Sequence, residues 1–254
     1  MYRQIRLLSI SFILIVMVGM VVSCSKKVQP VTGLVRGGVE AVDLGLSVKW
    51  GSCNIGAKSS SDLGQYFAWG ETQAKAEYTW DNYKHYKRGE GAEKGMKGEK
   101  TKKGITKYCS DRHGYEGLRD RKMTLDAEDD VAHEALGEGW RMPTVDELNE
   151  LKERCRWEWQ TTDAKVSGYR VTGPNGNSIF LPVTGISQGK AVNQQKGDGC
   201  YWTSSLHTGS SYGVYSLNFD SECVEIYYGR RDCGRAVRPV MDGGKAVKEY
   251  KGGE

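Results

Sequence analysis

The chain has 254 residues and a formal net charge of +4, from 36 lysines and arginines against 32 acidic residues. Nine basic and three acidic residues lie between Lys84 and Lys107, so the rest of the chain is slightly acidic. This location argues against a nucleic-acid-binding protein, because the segment is glycine-rich and almost free of apolar residues. The 33 glycines, 14 tyrosines and seven tryptophans are typical of a loop-rich domain with β-structure, and a hydrophobic fraction of 38% permits one core.

The N-terminus has the layout of a secretory signal. Arg3 and Arg6 precede an apolar run, Leu7 to Val22, which is shorter than the ~20 residues of a membrane-spanning helix. The small residues before Cys24 resemble the lipobox of bacterial lipoproteins, which implies cleavage of residues 1–23 and acylation of Cys24. An uncleaved anchor and an ordinary signal peptide remain as alternatives. We therefore expect a protein held to the membrane by an N-terminal lipid anchor, with two or three acyl chains giving durable attachment.

Residues 24–38 are predicted to be a flexible tether, followed by a single domain over 39–240. Alternating apolar residues predict a strand over Glu40–Asn54, and Leu63–Glu71 repeats the pattern with aromatic residues. The basic segment 84–107 is predicted to be a mobile surface loop, since it cannot bury enough apolar surface to offset its ordering entropy. Contact of this loop with an acidic polymer or with lipid head groups is the alternative.

Two helices are expected in the middle of the chain. The first covers Leu125–Leu136, with Asp126 as its N-cap and further acids in its first turn. The alternative for these acids is a calcium site, formed by Asp126, Glu128, Asp129 and Asp130, although adjacent carboxylates lack the alternate spacing of a calcium loop.

The second helix follows the stretch GWRMPTVDELNEL, which begins at Gly139. Trp140 and Met142 alternate around Arg141 as in a strand, Pro143 ends pairing, and Thr144 to Glu147 matches the S/T-x-x-E capping box. The helix is predicted to end near Arg154. No role is assigned to Arg141 itself.

The remainder of the domain is predicted to be β-structure. GYRVT and SIFLPV flank the turn Pro174 to Asn177 and predict a hairpin. The strands YWTSSL, GVYSLNF and CVEIYY follow, RAVRPV closes the domain, and residues 241–254 are predicted to be a disordered tail.

Six cysteines remain after Cys24, and six allow 15 disulfide pairings. Cys223 and Cys233 flank a predicted hairpin, which makes them the favoured pair for a disulfide. No cysteine and histidine spacing typical of a zinc site is present, and no metal or other cofactor is predicted.

Five segments in this order resemble the Fibrobacter succinogenes major paralogous domain family, which is common in lipoproteins of Bacteroidetes: VDLGLSVKWGSCNIGA, YFAWGET, GWRMPTVDELNEL, YWTSS and GRAVRPV. The match spans roughly Glu40 to Val240. The resemblance implies an α+β, C-type-lectin-like fold, with two helices flanking small antiparallel β-sheets and with neighbouring terminal strands. It supplies no catalytic residues. The calcium-binding sugar loops of the wider group are not matched, because Gly173-Pro174-Asn175 lacks the acidic ligand.

Candidate ligand-binding residues come from the last strands. Alternation predicts that Tyr215, Leu217, Phe219, Val224, Ile226 and Tyr228 face the core. It places Ser216, Asn218, Glu225 and Tyr227 outward, with His207, Tyr212, Arg230 and Arg231 in adjoining turns. Related lectin-like variable proteins present their ligand from this region, and these residue types suit recognition. The candidate site is therefore His207, Tyr212, Asn218, Glu225, Tyr227, Arg230 and Arg231, and the alternative is an ordinary solvent-facing surface.

These observations predict a cell-envelope lipoprotein, in the outer membrane, whose domain is a non-catalytic binding module for a protein or glycan. The alternative is a structural or assembly component of an envelope complex. An enzyme is disfavoured, because the sequence has no nucleophile elbow, zinc motif or phosphate loop. The paired acids Asp146 and Glu147 already belong to a helix cap. The periplasmic or external face is left open, and the residues after Cys24 include no acid that would favour export.

Overall fold

In the part of the chain that the structure describes, short antiparallel strands, two short α-helices and three 3₁₀ turns make up the regular structure. A computed structural model describes residues 38–88, 103–193 and 197–243. In these ranges the strands are β1 Ala41–Val42, β2 Lys49–Gly51, β3 Tyr86–Arg88, β4 Lys103–Ile105, β5 Trp140–Arg141, β6 Arg156–Thr161, β7 Ser167–Thr172, β8 Ser178–Pro182, β9 Ile186–Gln188, β10 Ala191–Asn193, β11 Gly199–Leu206, β12 Gly213–Phe219, β13 Val224–Arg230 and β14 Val240–Met241. The helices are α1 Val131–Leu136 and α2 Val145–Arg154, and 3₁₀ turns span Trp80–Asn82, Tyr115–Gly117 and Ala127–Asp129. The expected mixture of helices and small sheets is confirmed.

The described strands form three sheets and two separate hairpins, all antiparallel. The sheet orders are β1-β2-β14-β5, β6-β7-β8 and β11-β12-β13, and the hairpins are β3-β4 and β9-β10. In the first sheet, Val240 pairs with Trp50 on one side and with Arg141 on the other. The last strand therefore pairs with the second, β2, and the strands from the two ends of the domain lie in one sheet, near each other as expected.

The sheet β11-β12-β13 separates two hydrophobic clusters. Tyr201 on β11 belongs to a cluster that includes α2 and the sheet β6-β7-β8, whereas the next residue, Trp202, belongs to a cluster that includes α1. Both side chains are almost fully buried. Because alternate residues of a strand point to opposite faces, this sheet is covered on both sides along β11.

The stretch that begins at Gly139 forms a short strand, which ends before Pro143, and then a capped helix, as predicted. The Thr144 hydroxyl accepts from the Glu147 amide at 3.3 Å, and the Glu147 carboxylate accepts from the Thr144 amide at 2.8 Å. Arg141 donates to the same carboxylate at 2.8 Å and to Asp242 at 3.0 Å. The arginine thus joins the helix start to the last strand.

The hairpin of β7 and β8 is confirmed, with Gly176 of its turn at φ +88°. The single strand predicted over Glu40–Asn54 is wrong, because the segment folds back and β1 pairs with β2. The Asp43 carboxylate accepts from the Gly45 amide at 2.7 Å, and Gly45 has φ +76°, which glycine adopts without strain. A local turn therefore overrides the alternating pattern.

Two further predictions need correction. Leu63–Glu71 is not a regular strand, and Phe67 makes only an isolated bridge with Arg235. The helix predicted over Leu125–Leu136 is divided into a 3₁₀ turn and α1, and its N-cap is Asp130 rather than Asp126. The Asp130 carboxylate accepts from the amides of Ala132 and His133, so it caps the helix one turn later.

The ends of the basic segment 84–107 are ordered, so the mobile-loop prediction is wrong there. They form β3 and β4, and Lys84 and Lys107 both bind the Asp129 carboxylate. Arg88 pairs with Asp81. Acids outside the segment therefore neutralise part of its charge, which composition could not show. The disordered tail predicted over 241–254 is wrong at its start, because Met241 belongs to β14 and Asp242 binds Arg141. The described residues do not include 89–102 of the basic segment, the predicted signal and tether up to residue 37, or the tail beyond residue 243.

Candidate ligand-binding surface

The candidate surface is built on β12 and β13, at one edge of the sheet β11-β12-β13. Ser216 is the register partner of both Trp202 and Tyr227, and Asn218 is the partner of Cys200 and Glu225. Partners in antiparallel strands lie on the same face, so these residues share the face opposite Leu217 and Phe219. We call this the outer face. Its strand β13 has no second neighbour among the described strands.

The predicted alternation holds for part of this sheet and fails elsewhere. Leu217 and Phe219 are buried and Tyr227 is 56% exposed, as expected. Ser216, predicted to face outward, is fully buried, while Tyr228, predicted to face the core, is 44% exposed. Ser216 is covered because the outer face carries its own layer of packing, whereas Tyr228 lies near the end of β13, beyond the core.

Three aromatic rings form a column at this edge. The Tyr227 and Tyr228 rings are 4.7 Å apart with an interplanar angle of 21°, and His207 lies 4.2 Å from Tyr228 at 30°. Consecutive strand residues start on opposite faces, so the two tyrosines meet by folding over the open edge of β13. Tyr227 is at the end of the column and is exposed, which leaves its ring available to another flat group.

Tyr212 and Arg230 belong to a second aromatic cluster. The Tyr212 ring packs edge-on against Trp80, with ring centres 5.0 Å apart, and lies tilted against His113, with ring centres 4.8 Å apart. The Arg230 guanidinium lies 5.8 Å from the centre of the Trp80 ring and makes a bidentate pair with Asp232, at 3.0 and 2.7 Å. This pairing raises the pKa of Arg230. Its charge is therefore already compensated inside the protein.

Arg231 is not a surface residue, which corrects its place in the candidate site. Its side chain is fully buried, and it donates to the Tyr83 hydroxyl at 2.7 Å. Its other donors bind the carbonyls of Lys107, Tyr108 and Ser211 at 2.9 to 3.1 Å. Every nitrogen has an acceptor, so Arg231 joins four chain segments and has a structural role.

Arg238 is bound in a similar way, next to strand β2 of the first sheet. It is almost fully buried and donates to the Asn54 side chain and to the carbonyls of Gly51 and Phe180, at 2.7 to 2.9 Å. Burial lowers its pKa. Neither arginine has a carboxylate partner among the described residues, so backbone carbonyls stabilise both cations.

Arg235, which sequence analysis did not identify, lies on the outer face. Its Nη1 donates to Ser216 Oγ at 3.2 Å and to Asn218 Oδ1 at 2.7 Å. Its guanidinium packs over the Trp202 ring, 4.6 Å from the ring centre. Asn218 is thus half-buried and bound to Arg235, whereas Glu225 is exposed beside it. A signal for Arg235 does exist in the sequence: four arginines lie in the stretch RRDCGRAVRPV, whose other residues, apart from Asp232, are small or apolar.

The acidic cluster considered for calcium contains a lysine. Asp126, Glu128 and Asp129 offer oxygens within 4.8 Å of one another. The Lys107 ammonium lies 2.7, 3.0 and 2.6 Å from them, respectively. Burial alone would lower the pKa of Lys107, but its hydrogen bonds to these acids outweigh burial and raise it.. A lysine cation therefore already sits among these carboxylates.

The six described cysteines are all free. The predicted pair, Cys223 and Cys233, lies at opposite ends of β13, and seven residues of strand span roughly 23 Å, which is too far for a disulfide. Cys223 is exposed and Cys233 is buried. Burial raises the pKa of Cys200 and of Cys155 to about 11, so both are thiols at neutral pH.

In the described ranges, no helix has the length and apolarity to cross a bilayer. Comparisons of the chain with protein-family models, with curated proteins and with solved structures find no match.

Proposed function

We propose that this protein is an envelope lipoprotein whose domain is a non-catalytic binding module for a glycan or protein, with the edge of β13 as its binding surface. The observation that carries this proposal is the column of His207, Tyr228 and Tyr227. The two tyrosines are the large hydrophobic residues that the described part of the domain exposes. Aromatic residues that already stack in the free protein bind with little loss of conformational entropy.

A C-type-lectin-like fold is part of this proposal. Two helices beside small antiparallel sheets, and terminal strands paired through β2 and β14, are compatible with it. Two carboxylates with shifted pKa values, lowered in Asp129 and raised in Asp130, also support a non-catalytic role. Asp130 binds backbone amides, and Asp129 binds two lysines and a tyrosine, so their polar atoms already have structural partners.

Glycan and envelope-protein arrays test the binding role. The domain starting at Ser25 should bind a reproducible set of ligands on the arrays. The double variant Tyr227→Ala/Tyr228→Ala should bind none of them. Tyr115→Ala is a matched control, because Tyr115 is a half-exposed tyrosine that contacts Lys87 elsewhere on the surface. Retention of the same ligands by the double variant would refute this surface.

The lipid anchor requires a separate experiment. Cys24→Ser removes the thiol that would be acylated, so the protein should move from the membrane fraction to the soluble fraction after cell lysis. Ser25→Ala is the neighbouring control and should stay with the membrane. Unchanged membrane association of the Cys24 variant would exclude a lipoprotein.

A further inference from the structure

The second aromatic cluster consists of Trp80, Tyr86, His113 and Tyr212, which come from three separate parts of the chain. The ring centres of Trp80 and Tyr86 are 5.1 Å apart. Tyr212 lies 5.0 Å from Trp80 and 4.8 Å from His113, again between ring centres. All four residues are half-buried, and the His113 side chain is 36% exposed. The rings therefore form one continuous surface that keeps contact with solvent.

Asp111 fixes the orientation of the His113 ring. Its carboxylate lies 2.8 Å from Nδ1 of His113 and accepts from the backbone amides of His113 and Ser211, at 2.9 and 2.8 Å. Burial raises the pKa of Asp111, but hydrogen bonds from these two amides and from the ring outweigh burial and hold the pKa well below its usual range. An ionised carboxylate can only accept, so Nδ1 carries a proton. Nε2 makes no hydrogen bond to a described residue, so the free nitrogen of an oriented histidine points away from Asp111.

The polar groups of the cluster suit a ligand with hydroxyl groups. Nε2 of His113 accepts a hydrogen bond when the ring is neutral and donates one when the ring is charged, and a hydroxyl group can serve in both cases. The hydroxyls of Tyr86 and Tyr212 also make no hydrogen bonds to described residues. Each of them can donate to one hydroxyl and accept from another.

Two charged side chains contact the cluster, and each already has a partner. The Arg230 guanidinium lies 5.8 Å from the centre of the Trp80 ring, and two of its nitrogens hold the Asp232 carboxylate. The Asp111 carboxylate is held by His113. An anion would therefore meet an arginine that is already paired, and a cation would meet a carboxylate that is already paired. This arrangement favours a neutral ligand.

A saccharide combines these requirements. A pyranose ring has C–H groups on its faces, which pack against the electron-rich face of an aromatic ring, and hydroxyl groups around its rim. Ligand sites commonly pair such an apolar surface with a few well-placed polar groups. In this cluster the apolar surface is supplied by Trp80 and Tyr212, and the polar group with a fixed orientation is Nε2 of His113.

The second aromatic cluster adjoins the ring column. Gly213, the residue after Tyr212, is the register partner of Arg230. A Cβ placed on Gly213 would lie 3.2 Å from the Tyr228 ring and 3.4 Å from the Cβ of His207. The backbone of Gly213 therefore packs against the column, while the neighbouring Tyr212 ring belongs to the cluster.

We infer that the second aromatic cluster is a subsite for a neutral sugar unit of an oligosaccharide, with the sugar ring on Trp80 and Tyr212 and one of its hydroxyl groups on Nε2 of His113. This inference rests on the proposed binding function and specifies its ligand class. The ring column then binds a neighbouring sugar unit of the same oligosaccharide.

Titration calorimetry of the full chain tests the subsite, in a polyoxyethylene detergent so that no alkyl glycoside competes. The probes are neutral β-linked tetrasaccharides of glucose, mannose, xylose and N-acetylglucosamine, and we expect at least one of them to bind. The tetrasaccharide of galacturonic acid is the charged control. It should bind no more tightly than the best neutral probe, because the arginine that contacts the cluster is already paired.

Two variants test the named contacts with the best neutral probe. Trp80→Ala removes a ring contact and should weaken binding by about 10-fold. Trp159→Ala is the matched control, since Trp159 is also half-buried and packs edge-on against Tyr169, and it should leave the affinity unchanged. His113→Phe keeps a ring beside Tyr212 but removes Nε2, so binding should weaken by about 3- to 10-fold. His113→Gln supplies a hydrogen-bonding group again and should recover part of this loss.

Several results would overturn the subsite, and they are distinguishable from failure of the proposed function. Failure of every neutral probe to bind would refute it, and so would binding of the acidic tetrasaccharide alone. Unchanged affinity in Trp80→Ala and His113→Phe would also refute it, with melting temperatures showing that each variant is folded. If Trp80→Ala does not fold, the two His113 variants decide. If the arrays still show ligands that depend on Tyr227 and Tyr228, the binding function would stand, and if they show none, both proposals would fail.

Discussion

Arg231 and Arg235 are four residues apart in the chain, yet they lie in opposite kinds of environment. Arg231 is closed on all sides, with an acceptor for each nitrogen and the rings of Trp69 and Tyr83 around it. Arg235 is held on one side by Ser216 and Asn218 and is unpaired on the other. The comparison indicates that every nitrogen of Arg231 helps to join the surrounding segments, whereas the Nε of Arg235 is enclosed without a partner.

The largest expected effect separates these two roles. Arg231→Ala leaves three carbonyls and the Tyr83 hydroxyl without donors inside the protein, so the free energy of unfolding should fall by roughly 3–5 kcal/mol. Urea denaturation measures this loss. Arg88→Ala is the control, since its exposed pair with Asp81 should contribute less than about 1 kcal/mol. If Arg231→Ala lowered the free energy of unfolding as little as Arg88→Ala does, the structural role of Arg231 would be refuted.

The closed region should also be sensitive to pH. Burial lowers the pKa of His85 to about 4, although Asp129 at 3.7 Å opposes the shift. Between pH 6.5 and 4 the unfolded chain binds a proton that the folded protein does not, so stability falls as the pH falls through this window. The loss should be up to about 3 kcal/mol by pH 4.

Urea denaturation at several pH values tests this dependence, with His85→Gln as the comparison. The variant should lose most of the slope between pH 6.5 and 4. Protonation of Asp129 should still destabilise the variant at lower pH. Burial raises the pKa of this carboxyl, but hydrogen bonds from Lys107 and Lys84 outweigh burial and hold the pKa well below its usual range. A slope that persists in the variant would assign the effect to other groups.

A smaller effect is expected on the open side. Asn218→Ala removes one of the two acceptors of Arg235, so thermal or urea unfolding should show a loss of about 1–2 kcal/mol. The loss should be smaller than that of Arg231→Ala, because fewer polar groups are left unpaired. Equal losses would mean that both arginines are equally structural.

The smallest effect on stability belongs to the exposed ring. Tyr227→Ala should change the free energy of unfolding by no more than about 0.5 kcal/mol, because the side chain is 56% exposed. Its effect on ligand binding should nevertheless be large. A stability loss above 2 kcal/mol would show that the ring column supports the fold, and would remove the reason to regard it as a binding surface.

Features that depend on residues close together in the sequence were predicted correctly. The capping box of Thr144 and Glu147 uses groups three residues apart, and the β7-β8 hairpin depends on its own turn. Alternation also placed Tyr227 outward correctly. It failed for Ser216 because strand periodicity distinguishes two faces but cannot tell whether the second face is covered by Trp202 and Arg235.

The sequence by itself determined the types of element, the start of α2 and the residue types at the β13 edge, because these follow from local hydrogen bonding and periodicity. Only the tertiary structure decided which arginine has an acceptor for every nitrogen and which does not. The acceptors of Arg231 come from Tyr83, Lys107, Tyr108 and Ser211, at sequence separations of 20 to 148 residues. No local pattern records such contacts, because the partners become neighbours only when the sheets pack together.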